Sequence, residues 1–331
     1  MMKLAVGWIV ILVAIVFAAR KFWKDAPLSQ PTPQISGSTQ VINSAEDQFL
    51  ISEASPLCGE VLSAFLKART PEERNQFVSS PITTAARMAN FYLTNPLEAI
   101  DTNGMILQNA AIAHLPGGDA VELQLGSREG QLLDVAFLKE NDEWRIDWNH
   151  FVRYSETPWQ LFLAGSGDAE GEFRLLARER LAEERKNADT ISLVLYAPRF
   201  GYTRDTGLQS PEFLVRRDTR EGKLLDAAFK QERSGKRPFG VNLPSINPEG
   251  LIRVRVKIRR TTADLERHLE IEKVIACHWY STDEPGVEIT DEPAENEGDK
   301  DETNSPGAPA SLSEAVPARE TSAETLKHPG E

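Results

Sequence analysis

The strongest constraint on folding is a change of hydrophobic period within the first half of the chain. Up to Pro96 apolar residues recur every three or four positions; beyond Gly104 they alternate with polar ones. The first pattern places a stripe along helices and the second places one face of a strand against a core, so helices come first and an antiparallel meander follows. Leu57, Val61, Leu62, Phe65 and Leu66 make the first stripe, from Ser55 onward. "TPEERNQFV" restarts a helix with Thr70 as N-cap, Pro71 at the first position and Glu73 closing a capping box. A third helix follows Pro81 and stops at Asn95-Pro96. The strands are "AVELQL", "QLLDVAFLK" and "EWRIDW", separated by Gly130 and by Asn141-Asp142.

Parity along these strands assigns their faces. Trp144, Ile146 and Trp148 share one face of "EWRIDW", and Glu143, Arg145 and Asp147 the other; Val121, Leu123 and Leu125 likewise oppose Glu122. The apolar sets are expected to face the helices, with Glu122 and Asp147 pointing away. Asp134 shares parity with Leu132, Ala136 and Leu138, which allows a buried carboxylate with a raised pKa. "NDEWRIDWNHFVRYSETPW" carries three of the six tryptophans. Asp134, Trp144, Trp148, His150, Tyr154 and Trp159 form the candidate pocket or rim, read mainly as a structural seal. Phe151, Trp159 and Phe162 are expected to fold back over the open end of this sheet.

"FLKARTPEERNQFV", the meander and "WRIDWNHFV" together resemble the NTF2-like (SnoaL-like) fold as it occurs in membrane-anchored bacterial proteins. The resemblance spans about a third of the chain (residues 50 to 163) and implies a cone-shaped α+β domain, with pairing of two copies through their sheets. Members that are enzymes place Asp, His or Tyr in an apolar cone. An isomerase or hydrolase acting on a small apolar ligand through Asp134 or His150 is therefore the alternative to a non-catalytic binding role.

Past a joint at residues 164 to 170, three strand-like stretches, a helix within "DTREGKLLDAAFKQE" capped by Asp218 or Thr219, and two further strands give the order β-β-β-α-β-β. That order fits a small OB-type barrel over residues 171 to 281. In "RVRVKIR", Arg253, Arg255, Lys257 and Arg259 share one face. A hairpin centred on "TTADLE" sets Lys257 opposite Glu270 and Arg255 opposite Glu272, so the cations are neutralised within the sheet. With no run of stacking aromatics beside them, nucleic acid is not the expected partner. Arg174, Arg178, Arg180, Arg216, Arg217 and Arg220 form a candidate basic patch.

Charge is unevenly distributed. The chain's net charge is −13, and residues 283 to 331 hold 14 acidic against 3 basic side chains. Rich in Glu, Pro, Ser and Ala, the segment from 282 onward reads as a disordered acidic tail able to screen the basic patch. At the other end, Leu4 to Ala19 is uncharged and followed by "RKFWK". With its flanks this run suffices for a single membrane span within residues 1 to 24. A cleavable signal peptide is the rival reading. Arg20, Lys21 and Lys24 against Lys3 favour a cytoplasmic body, and an exported one stays open. Residues 25 to 49 read as a flexible linker.

Cys58 and Cys277 stand alone, without metal-ligand spacing. Walker loops, dinucleotide-binding glycine fingerprints, H-E-x-x-H and nucleophile elbows do not occur in the sequence. No catalytic residue, metal or cofactor is assigned. The expected protein is a membrane-anchored binding or scaffolding protein with a protein partner and capacity to form a homodimer.

Overall fold

The computed structural model describes residues 44–95, 105–127, 132–180, 188–197, 206–263 and 266–289. Leu4 to Ala19, most of the linker and nearly all of the acidic tail lie outside the described residues.

Helix α1, Ala45–Lys67, begins where Ser44 Oγ accepts the Asp47 amide. It therefore starts ten residues before the expected Ser55 and takes up the end of the segment read as linker. Among the described residues it is the helix long and apolar enough to cross a membrane by length and composition. Its Ala54, Cys58, Leu62, Phe65 and Leu66 are buried against the sheet. Helix α2, Pro71–Asn75, has the expected cap, Thr70 Oγ1 accepting from the Glu73 amide while Glu73 Oε2 accepts from the Arg69 amide. Helix α3, Pro81–Thr94, follows, its N-cap Ser80 held by the Glu140 carboxylate.

Strands β1 (Met105–Leu115), β2 (Gly118–Ser127), β3 (Leu132–Glu140) and β4 (Glu143–Ile146) form an antiparallel sheet in that order. Val121, Leu123, Leu133, Val135, Phe137 and Ile146 meet the helices in one apolar core, as parity requires. The short helices α4, Trp148–Val152, and α5, Trp159–Ala164, lead onward.

A second antiparallel sheet has the order β7-β6-β5-β8-β9. Its strands are β5 (Glu170–Glu179), β6 (Thr190–Tyr196), β7 (Phe213–Arg216), β8 (Leu251–Ala263) and β9 (Glu266–Ala276). Between β7 and β8 lies α6, Arg220–Arg233, capped by Thr219 Oγ1 through the Gly222 amide. Leu224, Leu225, Ala228 and Phe229 of α6 close the core of this sheet, and the outer strands β7 and β9 approach each other. The architecture is thus α+β with two antiparallel sheets, the second nearly barrel-shaped.

Three expectations are corrected. Phe151 joins the first core, but Trp159 and Phe162 pack on Phe173 in the second, because the turn through Ser155 to Pro158 redirects the chain. The β8–β9 hairpin turns one residue later than expected, and two bulges shift its register further. Arg259 therefore faces Glu270, Lys257 faces Lys273 and Arg255 faces Ala276. Lys257 Nζ still reaches Glu170 at 2.6 Å and Glu272 at 3.0 Å, so neutralisation proceeds diagonally and through β5.

The third correction concerns the far face of the first sheet. It is covered, not solvent-facing. Ala111, Ala113, Ala120 and Ala136 pack against Val241, Leu243 and Tyr280 from the second half of the chain. Small side chains let those segments approach the sheet closely. Glu122 and Asp147, read as pointing outward, do lie on faces away from the helical core, and both are fully buried.

Candidate functional site at the junction of the two sheets

Charged residues from both sheets converge beneath this cover. Arg253 on β8 donates from Nη1 to Glu122 Oε1 at 3.2 Å and from Nη2 to Asp134 Oδ2. Its Nη1 is also 3.5 Å from His150 Nε2 on α4. Tyr280 donates its phenol to the other Glu122 oxygen and stacks on the His150 ring at 5.3 Å. Arg237 Nη2 lies 3.7 Å from Glu122 Oε1. Each of these groups would be costly to bury alone; together they pair most of their polar atoms, leaving Asp134 Oδ1, His150 Nδ1 and Arg253 Nε without a partner among the described residues.

Protonation follows from the arrangement. Burial alone would raise Glu122, but Arg237 and Arg253 outweigh it and hold its carboxyl well below the usual range. Burial pushes Asp134 up to about 7; Arg253 opposes this and the Glu122 charge adds to it. His150 is held well below its ordinary value by burial, against the pull of Glu122, so it is neutral. Burial and Glu122 raise Tyr280, leaving it a donor.

The segment Cys277–Asp283 passes between the sheets and is tied to both. Arg174 on β5 donates to the Trp279 carbonyl at 3.1 Å and to the Tyr154 carbonyl at 3.1 Å. Arg255 donates to the Tyr280 and Thr282 carbonyls and pairs with Asp283, so the first residues of the expected tail are docked. Asp147 caps α4 through the His150 amide and accepts from the Ser281 amide at 2.6 Å and from its hydroxyl at 2.7 Å. The Trp279 indole donates to the Leu175 carbonyl, and its ring carries two guanidiniums, Arg253 at 4.8 Å and Arg153 at 5.1 Å.

Glu122, Asp134 and His150 bring possible metal-ligand atoms within 4.8 Å of one another. Arg253 touches all three, so a guanidinium holds the place a cation would take, and the donor set does not fit a resident metal. A cavity of ≈ 40 Å³, lined in part by Glu122, Arg237, Arg253 and Tyr280, adjoins the cluster. That is room for water, not for an organic substrate.

The candidate rim residues are divided. Trp144 and Trp148 are core residues, the Trp148 indole reaching the Tyr92 hydroxyl at 3.3 Å. Asp134 and His150 join the ionic cluster. Tyr154 and Trp159 line a groove beside Arg153 and Arg174. The candidate basic residues do not act as one patch. Arg174 is buried at the junction; Arg180 lies 3.6 Å from Glu212, Arg216 pairs with Asp218, Arg217 with Glu179 and Asp226, and Arg220 with Glu221. Arg178 lies over the Tyr196 ring.

Sequence reasoning missed Glu122, Arg237, Arg253, Trp279 and Tyr280 as parts of one site. The available signal was the run of alanines on the far face of the sheet, since a solvent face would be polar. Cys58 and Cys277 are buried and free, with burial pushing each thiol up to about 12. Compared with family models, curated proteins and solved structures, the chain matches none.

Proposed function

We propose that this chain is a single-pass, membrane-anchored, non-catalytic binding protein whose two halves form one rigid body. Leu4 to Ala19 would supply the anchor, and the charge bias beside it favours a cytoplasmic body. Three helices followed by a four-stranded antiparallel sheet support an NTF2-like first half. In the second half, the order β7-β6-β5-β8-β9 with α6 between β7 and β8 in the chain supports an OB-type barrel.

One observation carries the non-catalytic reading. The acid, base and imidazole that an enzyme would need are bound internally by Arg253 and Tyr280, behind a space too small for substrate. Binding is left to outer surfaces, and the groove at Tyr154 and Trp159 has polar groups still to satisfy among the described residues. The sheet face through which NTF2-like domains pair is covered here by Val241, Leu243 and Tyr280, so a homodimer requires another surface. Lys257 and Arg259 are engaged by Glu170 and Glu272, which disfavours nucleic acid as partner.

Cross-linking in intact membranes, followed by purification of the full chain, tests the proposal. A protein recovered with the wild type and lost with Tyr154→Ala or Gln160→Ala supports it; a full chain recovered alone under all conditions argues against it. The enzyme reading draws on Asp134, pushed up to about 7 beside an ionised Glu122, an acid–base pattern. Hydrolysis or isomerisation of a small apolar substrate that disappears in Asp134→Asn would favour it.

A further inference from the structure

We propose that the groove between α4 and β5 binds a small amphiphilic acid, a carboxylate borne on a short apolar chain, with Arg153 and Trp159 as its ligands. The inference rests on the binding-protein reading and specifies what this surface takes.

Arg153 is the anomaly that points there. Its backbone is left-handed (φ 54°) at the end of α4, which turns the side chain away from the helix and onto Trp279. Among the described residues its guanidinium makes no hydrogen bond and no ion pair, and its Nε and Nη1 are buried without an acceptor. Arg253, over the same indole, is by contrast ion-paired with Glu122 and Asp134. A desolvated guanidinium with no carboxylate in contact is unfavourable, and an arriving carboxylate matches its planar donors. Burial lowers Arg153 to about 10, so it remains charged at neutral pH.

A second, independent donor belongs to a residue lining the same groove. Trp159 is 3 % exposed, and its Nε1 has no hydrogen-bond partner. Buried indole N–H groups are normally satisfied. Two residues with unpartnered buried donors in one lining call for an acceptor, and the one carboxylate among the lining residues, Glu156, is exposed and pairs with neither. Arg174 adds positive field from the floor, its hydrogen bonds already given to carbonyls and its contact to Glu172 at 3.7 Å.

The remaining lining selects among anions. Phe91, Val152 and Leu175 offer apolar surface for a hydrocarbon portion, and the groove, ≈ 420 Å³, is of small-molecule size. Glu156 stands exposed in the lining and opposes a dianion such as phosphate more than a singly charged acid. One guanidinium and one neutral N–H suit a carboxylate.

Titration calorimetry on the full chain in detergent, with octanoate, octanamide and inorganic phosphate as probes, tests the assignment. Saturable octanoate binding is expected, at least about tenfold tighter than octanamide, with phosphate undetected. Arg153→Gln and Trp159→Phe should each weaken octanoate by about tenfold or more while leaving the thermal midpoint close to wild type. Arg153→Lys, which keeps the charge but not the fork, should retain part of the affinity. Absence of octanoate binding, equal affinity for octanamide, or unchanged affinity in folded Arg153→Gln would overturn the site. None of these outcomes bears on partner capture in membranes, which tests the underlying reading separately.

Discussion

Arg253 Nη1 and Glu122 Oε1 are 3.2 Å apart with both side chains buried, although 131 positions separate them in the chain. The contact joins the middle of the second sheet to the middle of the first. Replacing Arg253 by Met should cost about 3–5 kcal/mol, because Asp134 would stay buried without its ion-pair partner and Glu122 would keep only Arg237. Combining it with Glu122→Gln and Asp134→Asn should recover a substantial part of the loss. Urea unfolding of the single and triple variants measures both, and an additive triple variant would refute the coupling.

Stability should pass through a maximum at about pH 7. Asp134 ordinarily titrates at 3.8 and in the fold at about 7, so between these values the folded state holds a proton the unfolded chain has lost. Its contribution therefore falls as pH rises through that window. His150 is held well below 6.5 and His278 lowered to about 4, both by burial, so below 6.5 the unfolded chain takes up protons that the fold refuses. Their contribution is lost as pH falls, and two histidines outweigh one aspartate. Asp134→Asn should abolish the decline above the maximum and steepen the acid side. Thermal melts from pH 5 to 8 give the comparison.

Both cysteines should resist thiol reagents at pH 8 until the chain unfolds. Cys58 lies on the buried face of α1 and Cys277 is buried against α6, with its Sγ 3.7 Å from the Leu224 carbonyl and each thiol pushed up to about 12. Thiolate is the reacting species, so reactivity should track global unfolding. Rapid labelling of either residue in native buffer would contradict the described burial.

The elements were largely legible in sequence because their signals are local. Thr70 with Glu73, Thr219 before α6 and the alternation of Val121, Leu123 and Leu125 each act within a few residues. Ser44 with Asp47 was an equally local signal for the start of α1, hidden in a stretch whose composition suggested a tether. The junction was not legible. Parity separated Glu122 and Asp147 from the helical core, but only the tertiary fold reveals that Val241, Leu243 and Tyr280 cover the other side. Pairing Arg253 with Glu122 is long-range charge matching, which no periodicity encodes. The β8–β9 register differs for a related reason: the turn comes one residue later than its sequence suggests, and two bulges, without a glycine to announce them, move the partners further from Lys257 toward Arg255.

Gly222, in the first turn of α6, should reject alanine. Helix propensity alone favours Gly222→Ala by about 1 kcal/mol, since glycine is the costlier residue inside a helix. Here a Cβ would lie 2.0 Å from the Arg216 carbonyl oxygen and 2.8 Å from its carbon and from the Arg217 Cα, all backbone atoms that cannot rotate aside. The same turn holds Thr219 Oγ1 on the Gly222 amide and the Thr219 hydroxyl on the Arg216 carbonyl, so relieving the clash also strains the cap. Overpacking of this kind costs about 1–3 kcal/mol and should outweigh the propensity gain. Lys223→Ala, exposed on the same turn, is the control and should be nearly neutral. A lower denaturation midpoint for Gly222→Ala with the control unchanged is the expected result; stabilisation by alanine would mean that β7 and α6 are packed less closely than described.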